Sequence, residues 1–101
     1  MTYQDTLKAL EHQNILALDS KDLAMLLEST ATVREVDTCL SGWIRILESE
    51  GTVLVQEETT EGEILVRKVP SIGHADRLVE YRLEAYERMW DGCGCKIDYH
   101  A

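Results

Sequence analysis

The residues predict an α+β domain in which a three-helix core carries a β-hairpin and a fourth helix closes the chain. Three observations predict it. Between Thr32 and Gly51 apolar residues recur at Val33, Val36, Leu40, Trp43, Ile44 and Leu47, the three-and-four spacing of one helix face. Past Gly51 the period shortens to that of strands, with Thr52–Gln56 and Glu63–Val69 flanking a polar turn at Glu58–Gly62. Beyond Pro70 the helical spacing returns through Leu78, Val79, Ala85, Tyr86 and Met89, and Gly92 ends it.

Taken in order, Thr2 with Asp5 three residues on is an N-cap with an acid in the first turn, opening a helix that buries Tyr3, Leu7 and Leu10. Ile15–Leu18 lies between two capping signals and is too short for a helix, so it reads as a brief strand or extended link. Asp19 and Ser20 cap a second helix, Lys21–Glu28, which presents Leu23, Leu26 and Leu27. Ser29–Thr32 forms a turn, with Thr32 capping the third helix. Gly42 sits inside that helix at a cost of about 0.5–1 kcal/mol relative to alanine, as either a close-packing point or a weak spot. Pro70 breaks regular structure, and the last helix spans His74–Trp90. The organisation expected is a domain over 1–70, a helix over 71–92 and a cysteine-containing tail over 93–101.

At 101 residues the chain supports one domain, and 45% hydrophobic with 29% charged residues and a single proline argue against disorder. No apolar run reaches the roughly 18 residues that span a bilayer, and no basic-then-apolar leader opens the sequence, so a cytoplasmic location is expected. The net charge of −9, from 19 acids against 10 bases, disfavours a polyanionic partner. Three cysteines, Cys39, Cys93 and Cys95, suit thiols or metal ligands better than a disulfide framework.

The succession helix, short strand, helix, turn, helix and hairpin resembles the winged helix-turn-helix family of transcriptional regulators. The resemblance is carried by Asp19-Ser20-Lys21-Asp22-Leu23-Ala24 and by Ile46-Leu47-Glu48-Ser49-Glu50-Gly51-Thr52-Val53. It implies a winged helix in which the third helix reads DNA with Arg34, Thr38, Ser41 and Arg45 while the hairpin, the wing, touches phosphates. Yet Thr32–Lys68 holds four basic residues against eight acidic ones, and the wing carries Glu57, Glu58, Glu61 and Glu63 with no base. The expectation is therefore a small acidic regulatory or protein-interaction module whose glutamates meet a basic partner. The alternatives are a solvated hairpin tip that guards a sheet edge, and a DNA-binding regulator.

The resemblance also implies a homodimer through the last helix, with Leu78, Tyr86, Met89 and Trp90 as anchors, unless these side chains cover the domain's own core. Cys93-Gly94-Cys95 is half a tetrahedral site for zinc or another thiophilic metal, with His100 as a third ligand and His74 as a fourth, or with a pair from each of two chains. Reactive thiols, or a tail without a role, are the other readings, and a thiol or metal sensor that uses Cys93 and Cys95 to bias dimer geometry is the third functional alternative. Cys39, beside the apolar stripe, reads as an inert buried thiol. No phosphate-binding glycine loop, nucleophile elbow or paired-histidine hydrolase spacing is present, so no enzymatic activity is expected.

Overall fold

The computed structural model describes residues 1–38 and 42–93, the side chains of 89–93 apart. The elements are α1 (Tyr3–Leu10), β1 (Leu16–Leu18), α2 (Ser20–Ser29), β2 (Ala31–Asp37), β3 (Trp43–Ser49), β4 (Thr52–Glu58), β5 (Ile64–Val69) and α3 (Ile72–Cys93). The five strands form one antiparallel sheet in the order β1-β5-β4-β3-β2. Among the described residues no helix is long and apolar enough to cross a membrane.

The three-helix core is overturned, and with it the winged helix. The stretch read as a third helix is two strands, β2 and β3, so the domain is dominated by its sheet. β3 lies inside the sheet and buries residues on both faces: Ile44 and Ile46 on one, Leu47 on the other. A strand covered on both faces loses strict alternation, and its apolar residues then fall by chance on a helical stripe. The β-branched content of Thr32, Val33, Val36, Thr38, Ile44 and Ile46 agrees with the extended form.

Gly51 carries the second half of the explanation. Glu50 and Gly51 both have positive φ, 50° and 83°, and Ser49 pairs with Thr52, which makes a two-residue hairpin of the primed type. A helix C-cap asks for the same left-handed glycine, so Gly51 is compatible with either structure. Gly42 is not inside a helix. Its φ is 129°, its carbonyl accepts from the Thr38 amide at 2.8 Å, and a side chain there would collide with the Glu58 carboxylate.

The flanking elements stand close to their expected places. Thr2 and Asp5 form a reciprocal capping box, each side chain accepting the other's backbone N–H at 3.1 Å. Asp19 caps α2 through the Asp22 amide at 2.7 Å. α1 and α2 cover one face of the sheet over Leu16, Leu18, Leu47, Leu54 and Val66, with Leu10 and Leu26 as their contribution. α3 covers the other face over Ile44, Ile46, Val53 and Val55, contributing Ala75, Val79 and Tyr86. The sheet is thus the middle of three layers, and β4, buried from Val53 to Glu57, is its centre.

Leu54→Ala is expected to cost about 2–5 kcal/mol in urea denaturation, because Leu54 is fully buried in the middle strand. Val33→Ala on the exposed edge is expected to change stability by no more than about 0.5 kcal/mol.

Candidate functional site

The register gathers acids at one end of the sheet. Asp37 pairs with Trp43, and Glu58 and Leu18 both stand beside Ile64, so the β2–β3 connection, the β4–β5 turn and the start of α2 share that end. Asp19, Asp37, Glu57, Glu58, Glu61 and Glu63 belong to these segments, and Arg45 is their nearest base on the sheet. The β3–β4 hairpin, with Glu48 and Glu50, lies at the opposite end.

Two arginines hold the adjacent carboxylates of β4 from opposite faces. On the α1/α2 side, Arg45 donates to Gln56 Oε1 at 2.7 Å, to Glu58 at 3.2 Å and to Glu35 at 3.3 Å, with its guanidinium 5.9 Å from the Trp43 ring. On the α3 side, Glu57 is only 3% exposed. Arg82 donates to both of its oxygens at 2.9–3.2 Å, and the Tyr86 hydroxyl donates to the same carboxylate. The guanidinium also sits 5.3 Å from the Tyr86 ring. The hydrogen bonds to Glu57 hold the Arg82 pKa above its usual value against the opposing effect of burial.

A third arginine ties β2 to the helix. Arg34 reaches Glu80 at 2.7 Å and Asp76 at 3.1 Å, and the hydrogen bond to Glu80 raises its pKa most. Gln56 is wholly buried, and its Nε2, like the Tyr3 hydroxyl, has no partner among the described residues.

Several expected roles change on this geometry. Arg34, Thr38 and Arg45 do not line a helix: Arg34 lies on β2, Arg45 on β3 and Thr38 just past β2, while Ser41 lies outside the described residues. Arg34 and Arg45 are both engaged by carboxylates of their own chain. The glutamates of the expected wing also separate. Glu57 is buried and Glu58 is paired with Arg45, whereas Glu61 and Glu63 are exposed with no ion-pair partner among the described residues. The physical reason is that β4 is a central strand, so Glu57 meets a helix rather than solvent.

Tyr86 is buried in the core beneath α3 and Leu78 is half-buried against it; the side chains of Met89 and Trp90 lie outside the description. Cys93 ends α3, and Cys39, Cys95 and His100 lie outside the described residues. His74 stands in the first turn of α3 with its Nδ1 2.9 Å from Ser71 Oγ. Nineteen helical steps separate it from Cys93, about 28 Å, so these two cannot share one metal within a chain. Among the described residues no group of three or more potential ligands is placed to hold a metal. A shallow concavity of about 390 Å³ on the crest of α3, lined by Asp76, Arg77, Glu80, Tyr81 and Glu84, is open to solvent and includes none of Glu57, Arg82 and Tyr86.

Sequence reasoning missed Arg82 and Gln56. Arg82 carries a signal in hindsight, because it falls between Val79 and Tyr86 on the inward side of the helix, where a base requires a buried acid. Gln56 has none beyond its place in an apolar strand. No family model matches the sequence, and no characterised protein or solved structure resembles the chain.

Arg82→Met leaves Glu57 buried without its cation, and the expected loss is about 3 kcal/mol by chemical denaturation, the low end for a broken buried pair because Arg82 is itself about a quarter exposed. Glu57→Leu combined with Arg82→Met is expected to be less damaging than Arg82→Met alone, since the double change removes the stranded charge.

Proposed function

We propose that the protein is an acidic, non-catalytic interaction module that takes a cationic segment of another protein at the sheet end carrying the β4–β5 turn. The observation that supports this reading is the division among its carboxylates. Glu57 and Glu58 are held inside the fold, whereas Glu61 and Glu63 stand exposed and unpaired on the turn that joins β4 to β5. The turn itself is firmly built: the Thr59 amide donates to the Glu63 carbonyl at 2.8 Å and the Gly62 amide to the Thr59 carbonyl at 3.0 Å. A rigid tip presents its charges without ordering entropy to overcome on binding.

Arg34 and Arg45 on the sheet and Arg82 on α3 do not offset this field at the surface, because each is committed to acids of the same chain. A nucleic acid needs free cations aimed at phosphates, and these three are not available for that. A cationic protein segment needs the reverse, and long-range attraction raises its encounter rate.

A lysine-rich peptide titrated at low salt, followed by Trp43 emission or calorimetry, tests the reading. Binding is expected to weaken as salt rises, and Glu61→Lys is expected to weaken it by about fivefold, in line with one reversed surface charge. Glu50→Lys changes net charge equally at the far end of the sheet and is expected to leave the affinity nearly as it was. Equal effects of the two variants would show attraction to net charge alone and refute a site at the turn.

A further inference from the structure

The two faces of the sheet are not equally covered. α1 and α2 lie over one face, but among the described residues α3 alone serves the other, and its core partners come from β3, β4, Val36 of β2 and only Val69 of β5. On β1, Leu16 and Leu18 are buried beneath α1 and α2 while Ala17 between them is exposed on the α3 side. Leu65, paired with Ala17, belongs to neither core and is half-buried. Ile15, just before β1, is 40% exposed, and Tyr81 on the neighbouring shoulder of α3 is 62% exposed. An apolar strip thus runs along β1 and β5 beside α3, in the place a second helix of that layer would fill.

The charges along the strip are ordered. Strand alternation puts Arg67, Leu65 and Glu63 on this face, and the Thr59–Glu63 backbone bond extends the β5 register to Glu63. Neither Arg67 nor Glu63 has an ion-pair partner among the described residues. Heights along α3 follow from its contacts with the sheet. Arg34, level with Arg67 across the register, meets Asp76 and Glu80; Glu57, level with Leu65, meets Arg82 and Tyr86. Continued at the helical rise, Arg88 comes level with Glu63.

We infer that the strip is covered by α3 of a second copy of this chain, in a two-fold dimer whose axis runs parallel to the strands. That operation keeps each residue at its own height. It sets the second copy's Arg88 against Glu63 and its Glu84 over the Leu65 row, while the two Tyr81 shoulders meet near the axis. The contact is isologous, so every pair forms twice. The Leu78–Tyr86 face stays on its own core, unlike in the dimer the sequence suggested, and Glu61 remains outside, available to the cationic segment proposed above.

Sedimentation equilibrium on the full chain tests this, with far-UV circular dichroism confirming that each variant is folded. The wild type is expected at twice 11.5 kDa. Glu63→Arg faces Arg88, and Arg88→Glu faces Glu63, so each variant alone is expected to sediment as a monomer. Mixed in equal amounts, they regain opposite charges at both contacts and are expected to form a dimer. Ala17→Glu, at an exposed position, is expected to abolish association. A monomeric wild type, single variants that dimerise as the wild type does, or a mixture that stays monomeric would each overturn the inference.

Discussion

The carboxylate of Glu57 is the constraint around which the structure is arranged. A charged group taken out of water inside a protein demands full compensation, and here α3 supplies it with Arg82 and Tyr86. Those two side chains reach Glu57 only if the helix lies across β3 and β4. That placement brings Asp76 and Glu80 within reach of Arg34, buries Ala75 and Val79 on the sheet, and leaves Ala17 of β1 and Leu65 of β5 outside the helix's core among the described residues. One buried acid therefore orients the helix and determines which surface stays open.

A second consequence concerns charge. The chain is strongly acidic, yet much of the acid of β4 is neutralised internally, by Arg45 on one face and Arg82 on the other. What reaches solvent at that end is a shorter set centred on the turn, with Glu61 and Glu63. The binding role proposed for this end rests on exposed groups on a rigid support, and the turn carries two of them, without ion-pair partners among the described residues. The Glu57 cluster, by contrast, is enclosed and fully engaged, which suits it to holding the fold together.

The ends of the chain were legible in its residues, because their signals are local. Thr2 with Asp5, and Asp19 before α2, are caps that act within three residues, and the hairpin alternation of Thr52–Val69 declares itself over one turn. The middle was misread because its evidence is tertiary. Whether Val36, Trp43, Ile44 and Leu47 share a helix face or divide between two faces of a sheet depends on what covers them, and Gly51 fits both readings. The site suffered likewise: four glutamates in a run look equivalent until burial separates Glu57 from Glu61. Only the position of Arg82 on the inward side of a helix hinted at a buried acid, and the hint names no partner.

The most direct measurement is a nuclear Overhauser spectrum of the chain. The account predicts cross-strand backbone contacts between Arg45 and Gln56 and between Leu47 and Leu54, together with contacts from the Tyr86 ring to the Glu57 side chain. Unbroken sequential amide contacts from Thr32 to Gly51, with no contact between Tyr86 and Glu57, would restore a helix in the middle of the chain and contradict the account.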